Sequence, residues 1–340
     1  MEIIRYEFDN SFELPENFLR LFRDIPFAIV DIETTGLNPS YNKIILIGIL
    51  YYSSEEVKIE QLFCPSKADE NKLLECFVEK IKDIPLLISY NGDAFDIPFI
   101  NKRLEMNKLE KSPLFCSFDL LRLVRNFQQQ FELQDCKLKS IEKFLGIQRE
   151  DGISGKESVD LYNRYEKSRE KLLKDLILLH NHDDLRYLFH SLYIMDKLPH
   201  EKLIPHAPSI LHWKNGQLCF IKESLIKNNS LYITGFLGHT YSENHVLYKP
   251  GYSFHFDSST QSFIANVPLN KGVLDSGEKC LYIDLNTLPF TYTTYCVNTR
   301  LPENIVLLKV GKEANTLEIT GLSKELINYV VSDLLTAFSI

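Results

Sequence analysis

The order of apolar and polar positions divides the chain into two parts of different character. Up to residue 118, short β-branched runs alternate with stretches of helical spacing, and from about 120 to 198 the pattern is helical throughout. The strand-like runs lie at 3–8, 27–33, 43–52, 57–63, 86–90 and 115–118, and the helical stretches at 16–23, 69–81, 97–106, 120–127, 139–145, 158–167 and 172–195. The three strands after residue 26 have short connections, which favour an antiparallel meander. This order predicts an α/β domain in which helices cover a mixed sheet.

The remaining chain is patterned mainly as strands. Three prolines, Pro199, Pro205 and Pro208, indicate a boundary, after which short apolar runs alternate with turn residues. We predict strands at 209–221, 231–236, 246–248, 262–267, 281–285, 305–310 and 316–319, and an amphipathic helix at 324–338. The predicted organisation is a strand and helix at 1–24, an α/β domain at 25–198 and a β-rich domain at 208–340. The aromatic residues of the last domain are consistent with a core or with a base-stacking surface, and we favour the core because aromatic residues are typical of β-rich cores. They are Trp213, Tyr232, Phe236, Tyr241, Tyr248, Phe254 and Tyr282.

Composition and charge exclude several classes of protein. No apolar run approaches the roughly 18 residues that cross a membrane, and the first residues lack a basic segment followed by an apolar core, so we expect neither a membrane segment nor a secretory signal. The seven cysteines are scattered without a C-x-x-C pair, which favours free thiols and a cytoplasmic location. The net charge of −8 argues against a protein that coats nucleic acid through basic residues.

Two carboxylates end the first buried strand. Asp31 and Glu33 occupy positions i and i+2, so their side chains lie on the same face of that strand. Adjacent anions repel each other unless a cation lies between them, and oxygen ligands of this kind suit Mg²⁺ or Mn²⁺. Gly36, in the Thr-Thr-Gly-Leu that follows, allows the backbone to approach a ligand closely. The alternative is an ordinary strand end with solvated acids.

A third acidic position lies where a short apolar strand gives way to a helix. Asp96 ends the segment Tyr-Asn-Gly-Asp-Ala-Phe-Asp and precedes Pro98, which is tolerated only in the first turn of a helix. One interpretation is a helix cap, which is worth about 1 kcal/mol. The other is a third carboxylate at the sheet edge, facing Asp31 and Glu33. This segment alone leaves both interpretations open.

A histidine and an aspartate share one face of the last long helix. His180 and Asp184 are four residues apart and therefore project together, whereas His182 faces elsewhere. Asp183 is an alternative candidate for the inward acid. The apolar residues that follow Asp184 anchor its face on the sheet and favour Asp184.

These separate elements each offer acids, and together they resemble the three motifs of the DEDD (DnaQ-like) 3′–5′ exonucleases, which have a ribonuclease-H-like fold. The segments are Asp31-x-Glu33-Thr-Thr-Gly-Leu, Asn91-x-x-x-Phe95-Asp96 and His180-Asn-x-x-Asp184. The form of the third motif is closest to the YprB-like branch, as are the segments that precede it, Leu138-Lys-Ser-Ile-Glu142 and Asp151-Gly-Ile-Ser-Gly155. The resemblance covers roughly residues 25–196 and does not extend into the C-terminal part.

The resemblance implies a two-metal phosphodiesterase, which removes nucleotides from the 3′ end of single-stranded DNA or RNA with two Mg²⁺ or Mn²⁺ ions. The implied metal ligands are Asp31, Glu33, Asp96 and Asp184. His180 would accept the proton of the attacking water, although it stands at the spacing where a better-known branch has tyrosine. Contacts to the terminal nucleotide are implied for Thr34, Gly36, Leu37, Asn91 and Phe95. Phe95 is equally consistent with a core aromatic. Lys139 and Arg125 are candidate phosphate contacts, but we favour solvated surface charges for both.

Two other functions remain open from the sequence. A ribonuclease-H-like scaffold can serve as a catalytically silent module that binds nucleic acid or protein. His182 and Asp183 also form the dipeptide of HD-type metal phosphohydrolases, but that site needs further histidine ligands on other helices. The histidines of the β-rich part do not obviously supply them; they are His206, His212, His239, His245 and His255. The sequence gives no indication of protein partners.

Overall fold

Six strands form one mixed sheet in the N-terminal part of the chain. They are β1 (Glu2–Glu7), β2 (Phe27–Thr34), β3 (Ile44–Ser53), β4 (Glu56–Phe63), β5 (Leu86–Ser89) and β6 (Cys116–Asp119). The strand order is β1-β4-β3-β2-β5-β6. Neighbours from β1 to β2 are antiparallel, while β5 runs parallel to β2 and β6 parallel to β5. The predicted mixed sheet and its antiparallel meander are confirmed.

The computed structural model describes residues 1–7, 13–53, 56–109, 114–147, 155–213, 216–238, 241–295 and 301–337. These residues fall into two units, Met1–Leu198 and Pro199–Ile340. The first strand is an edge strand of the main sheet, so the segment 1–24 contributes to that sheet and does not merely precede it. The predicted domain bounds stay a prediction. Phe8, Asp151–Ser154, His239, Cys296 and Phe338, which figure in the sequence predictions, lie outside the described residues.

Helices cover both faces of the first sheet. They are α1 (Glu16–Phe22), α2 (Glu70–Ile81), α3 (Asp96–Met106), α4 (Leu120–Phe127), α5 (Leu138–Phe144), α6 (Gly155–Ser168) and α7 (Lys171–Ser191). Ala28, Val30 and Ile32 of β2 belong to the core beneath α2 and α3. The alternate positions, Asp31 and Glu33, point to the opposite face, on which α7 packs. The alternation of β2 therefore directs its two carboxylates toward α7.

The second unit contains two further sheets and a long helix. It begins with the short helix α8 (His200–Leu203), and its strands are β7 (Ser209–His212), β8 (Leu218–Lys227), β9 (Ser230–Leu237), β10 (His245–Lys249), β11 (Tyr252–Asp257), β12 (Ser262–Pro268), β13 (Asn270–Val273), β14 (Lys279–Asp284), β15 (Ile305–Val310) and β16 (Glu313–Ala314). One sheet has the order β10-β11-β12-β9-β8-β7 and the other β13-β14-β15-β16. Apolar residues of α9 (Thr316–Ala337) complete the core of this unit. The prediction of a second, β-rich region is confirmed.

Three predictions for the second unit were wrong in detail. The run 209–221 is two antiparallel strands, β7 and β8, and the Trp213 N–H donates to the Gln217 carbonyl between them. The predicted strand 316–319 is the first turn of α9, because Asn315 Oδ1 accepts from Glu318 N–H at 3.3 Å and Ile319 falls on the buried face of the helix. Four apolar residues cannot distinguish a strand from a helical turn. Phe254 is buried as predicted, but Tyr248 is 74% exposed.

Two general properties follow from the described residues alone. The helices in the described part of the chain are all too short or too polar to cross a membrane. Six of the cysteines lie in the described residues and are free thiols.

Candidate active site

A cleft of about 850 Å³ opens where the parallel strands of the first sheet end. Its walls come from β2 and the loop after it, the β5–α3 junction, the start of α5, α6 and the middle of α7. Side chains at the carboxyl ends of neighbouring parallel strands meet at one sheet edge, which is a common place for ligand sites in α/β proteins. The residues to which the resemblance assigns site roles all line this cleft: Asp31, Glu33, Thr34, Gly36, Leu37, Asn91, Phe95, Asp96, His180 and Asp184. Asp183 and Arg125 are not among the lining residues. Their individual roles stay predictions.

Asp96 is tied to the strand that carries the first two carboxylates. The ladder between β2 and β5 ends at Ile29, so the later part of β2 lacks a neighbour on that side. Asp96 Oδ1 accepts the Ile32 N–H at 3.1 Å and takes the place of a strand partner. Asp96 is the first helical residue of α3, one position after the N-cap residue Phe95, so it does not cap the helix. The bond holds Asp96 beside Asp31.

The helix α7 brings the third acidic motif to the same place. His180 Nε2 lies 3.6 Å from Glu33 Oε1 and 3.6 Å from Asp184 Oδ2. One ligand atom from each of these three side chains lies within 4.8 Å of the others. Asp183 instead lies 3.3 Å from Nδ1 of His182. The aspartate that reaches the cleft is therefore Asp184.

The carboxylates of the cleft repel one another in surroundings that are poor in water. Burial raises the pKa of Glu33 to about 7. The charge of His180 lowers this pKa, and the charges of Asp184 and Asp96 raise it. Burial likewise raises the pKa of Asp96 to about 7. The pKa of Asp31 lies well above its usual range, first through burial and then through the charges of Asp184, Asp96 and Glu33. Hard divalent cations prefer carboxylate oxygens and would relieve this repulsion, so the donor set fits Mg²⁺ or Mn²⁺.

Stability without divalent cations is expected to fall as the pH rises through the range set by these carboxyls. Folded Glu33 holds its proton up to about pH 7, whereas the unfolded chain releases it near the ordinary pKa of 4.5. Between these values the folded state binds more protons, so a higher pH favours unfolding, by about 1 kcal/mol per pH unit for one such group. Glu33→Gln cannot ionise and should gain stability relative to wild type from about pH 5 to about pH 7.

Denaturant unfolding in EDTA at several pH values measures this difference in the free energy of unfolding. Glu75→Gln removes an exposed carboxyl of α2 and serves as the control. A Glu33→Gln difference that stays flat over the same range contradicts the raised pKa. Mn²⁺ should stabilise wild type more than Glu33→Gln, because a ligand that binds only the folded state shifts the equilibrium toward it.

The residues predicted to hold a nucleotide differ in their surroundings. Leu37 is 84% exposed at the rim of the cleft, after a turn in which Thr34 Oγ1 donates to the Gly36 carbonyl at 2.9 Å. Phe95 lines the cleft and also packs on the core, with its ring 5.5 Å from that of Phe99. The position of Phe95 is therefore consistent both with a core aromatic and with a side chain that contacts a nucleotide. Lys139 also lines the cleft.

Three supporting residues received no role from the sequence. Asp119, at the end of β6, accepts from the backbone N–H of Asn91 at 2.8 Å and of Asp93 at 3.3 Å, which holds the loop before α3. The sequence signal that could have identified Asp119 is its place as an acid at the end of β6, the parallel strand next to β5. The other two residues support Asp31. Asn181 donates a hydrogen bond to its carboxylate, and Gln61 donates one to Asn181. Asn181 stands inside the third motif, whereas nothing in the sequence around Gln61 distinguishes it.

Comparison with known proteins finds similarity over the first unit. A family model described as RNase_H superfamily matches residues 28–197, which is half of the chain. The uncharacterized protein YprB of Bacillus subtilis (strain 168) is 35% identical over 168 residues, which are 48% of this chain and 40% of that protein. The uncharacterized protein MJ0365 of Methanocaldococcus jannaschii is 30% identical over 165 residues, which are 46% of this chain and 88% of that protein.

A third relative is much longer than this chain. The PolC-type DNA polymerase III of Clostridium perfringens (strain 13 / Type A) is 26% identical over 215 residues, which are 56% of this chain and 14% of the polymerase. The match to YprB likewise spans less than half of that protein. Similarity is therefore established for one region of each of these two proteins, whereas it spans most of MJ0365.

Proposed function

The chain belongs to the RNase H superfamily, and on that premise we propose that it is a metal-dependent 3′–5′ exonuclease of single-stranded nucleic acid. The observation that carries the proposal is the meeting of three distant segments, Asp31–Glu33, Asp96 and His180–Asp184, in one cleft. A cluster of buried carboxylates costs free energy unless cations or protons neutralise it, and such clusters concentrate at functional sites. The similarity to a PolC-type DNA polymerase III supports a nucleic acid as the substrate.

In this proposal the carboxylates of Asp31, Glu33, Asp96 and Asp184 hold two Mg²⁺ or Mn²⁺ ions. Bound ions of this kind activate water and neutralise charge that develops on a phosphate. The residues of the chain supply the oxygen ligands and keep them in place through the bond between Asp96 and β2. The excess negative charge of the cleft draws the cations, and their charge in turn allows a phosphodiester to enter a protein whose net charge is −8.

His180 is the proposed acceptor of the proton from the attacking water. An imidazole changes its charge near neutral pH and is the commonest general base in enzymes. Nε2 lies between Glu33 Oε1 and Asp184 Oδ2, each 3.6 Å away, and these carboxylates would stabilise the imidazolium that forms. The same arrangement keeps the ring turned toward the cleft.

The terminal nucleotide is proposed to lie against the loop after β2 and the β5–α3 junction. The residues assigned to it are Thr34, Gly36, Leu37, Asn91 and Phe95. Base stacking on an aromatic ring contributes roughly 1–3 kcal/mol and does not depend on the identity of the base. Lys139, at the cleft, is a candidate contact to a phosphate. We propose that the catalytic elements of the exonuclease domain lie within 25–198, to whose sheet the segment 1–24 adds β1, and that 208–340 forms a separate domain. We also propose that the enzyme acts in the cytoplasm, where free thiols persist.

Oligonucleotides labelled at one end test the reaction and its direction together. The full chain is incubated with single-stranded DNA or RNA that carries a label at the 3′ or the 5′ end, in Mn²⁺ or in EDTA. We expect labelled mononucleotides to be released at once from the 3′ label, a ladder of shortening products from the 5′ label, and no cleavage in EDTA. Tight binding without turnover in Mn²⁺ contradicts the proposal and favours a silent binding module.

A further inference from the structure

A buried amide lies directly behind the carboxylate of Asp31. Asn181, on α7, is fully buried, and its Nδ2 donates to Asp31 Oδ2 at 2.8 Å and to the Asp31 carbonyl at 3.3 Å. One side chain therefore contacts both the carboxylate and the backbone of the same residue. These bonds restrict rotation of the Asp31 carboxylate, because turning it would leave a buried donor unpaired.

The orientation of the Asn181 amide is fixed by a second buried amide. Gln61 on β4 has no exposed surface, and its Nε2 donates to the Leu178 carbonyl at 2.8 Å and to Asn181 Oδ1 at 2.8 Å. Both partners of this nitrogen are acceptors, so the Gln61 amide cannot be reversed without loss of both bonds. Since Oδ1 of Asn181 is occupied by Gln61, the nitrogen of Asn181 must face Asp31.

The strand beside β2 is shaped to receive this amide. Gly48 on β3 is the register partner of Asp31. A Cβ atom at position 48 would lie only 2.2 Å from Asn181 Oδ1 and 2.7 Å from a methyl carbon of Leu185. Any other residue at position 48 would force the Asn181 and Leu185 side chains to move, so the close approach of Asn181 to Asp31 depends on this glycine.

We propose that Asn181, oriented by Gln61, is a positioning residue that holds the Asp31 carboxylate ready to bind a divalent cation. The inference rests on the metal site of the proposed function. An amide is suited to this task because it donates a hydrogen bond without adding positive charge. A lysine or arginine in its place would neutralise Asp31 and compete with the cation. Partners that orient metal ligands in this way typically change metal affinity by 10–100-fold when they are removed.

Two variants separate positioning from folding. Asn181→Ala removes the donor to Asp31, and we expect Mn²⁺ to bind about 10-fold more weakly. Gln61→Met keeps Asn181 and replaces Gln61 by a side chain of similar volume, but it removes the hydrogen bond that orients the Asn181 amide. We expect a smaller loss of Mn²⁺ affinity, about 3-fold. Asn17→Ala is the matched control, since it removes a buried amide of the same unit that donates to the Met195 and Leu198 carbonyls. It should lower stability but leave Mn²⁺ affinity unchanged.

Calorimetric titration of Mn²⁺ into the metal-free full chain measures affinity without reference to activity. In a parallel assay, the Mn²⁺ concentration for half-maximal cleavage should rise for Asn181→Ala, while the KM for the oligonucleotide at saturating Mn²⁺ stays unchanged. Thermal unfolding of each variant identifies those that are folded. A role confined to structure would lower stability and leave both Mn²⁺ measurements where they are in wild type.

The outcomes distinguish failure of this inference from failure of the proposed function. If wild type binds Mn²⁺, Asp31→Ala does not, and folded Asn181→Ala binds as wild type does, the positioning role is overturned and the metal site stands. If wild type does not bind Mn²⁺, both are overturned. If Asn181→Ala does not fold, Gln61→Met decides: weaker binding supports the inference, and unchanged binding overturns it.

Discussion

Asp31→Asn is expected to lower kcat/KM for single-stranded substrate by about 1000-fold or more, equivalent to about 4 kcal/mol, since cations in such sites contribute several kcal/mol to the transition state. The substitution keeps an oxygen that can accept the hydrogen bond from Asn181. It removes the carboxyl whose pKa is raised by Glu33, Asp96 and Asp184 together. The fold should survive. Near pH 7 the substitution should stabilise the metal-free protein, because burial and the neighbouring carboxyls raise the pKa of Asp31 and asparagine does not bear that cost.

A pair of neighbouring residues on α7 provides the matched control for this prediction. Asp184→Asn should also lower activity strongly, whereas Asp183→Asn should retain activity within about twofold of wild type, because Asp183 faces His182. Initial rates at saturating Mn²⁺ and circular dichroism of each variant supply the comparison. Native rates for Asp31→Asn, or equal losses for Asp183→Asn and Asp184→Asn, would show that the assignment of the cleft acids is wrong.

His180→Gln is expected to lower kcat by about 100-fold, which is the lower end of the range for loss of a general base. Glutamine is of similar length and polarity but cannot take up the proton of the attacking water. Affinity for Mn²⁺ should change by less than about threefold if carboxylates alone hold the cations. Single-turnover cleavage at saturating Mn²⁺ gives the rate, and calorimetric titration gives the affinity.

His182→Gln is the control for the histidine prediction. The His182 ring lies 4.8 Å from the ring of Tyr6 and 3.3 Å from Asp183, so its replacement should leave kcat near the wild-type value. A large loss of Mn²⁺ affinity in His180→Gln would contradict the general-base role and assign His180 to the metal ligands. That outcome has a geometric basis, since Nε2 lies within 4.8 Å of ligand oxygens of Glu33 and Asp184.

The predictions from the sequence succeeded where short-range pattern decides the outcome. The helix predicted at 120–127 is α4 with the same bounds, and the strand predicted at 27–33 is β2 to within one residue. The resemblance to the YprB-like branch of the ribonuclease-H-like proteins is confirmed by the family match and by the similarity to YprB. The strand predicted at 316–319 failed, because four residues carry too little periodicity to distinguish a strand from a helix start.

The choice among candidate acids needed long-range contacts. In a helical pattern Asp183 and Asp184 are adjacent, and only the packing of α7 on the sheet directs Asp184 to the cleft. Asp96 is consistent with a helix cap until its bond to Ile32, which is 64 residues away in sequence, is observed. The role of Gln61 likewise appears only when β4 and α7 are brought together.

The family of the chain, the candidate acids and the elements that carry them could all be predicted from the sequence, because strand alternation, helical spacing and short motifs are properties of neighbouring residues. The tertiary structure alone decided which acids share the cleft, how Asp31 is held and why position 48 is a glycine. Those features depend on contacts between residues far apart in the sequence, 64 positions for Ile32 and Asp96 and 150 for Asp31 and Asn181. Such contacts form only when helices pack on the sheet, and no local pattern encodes them.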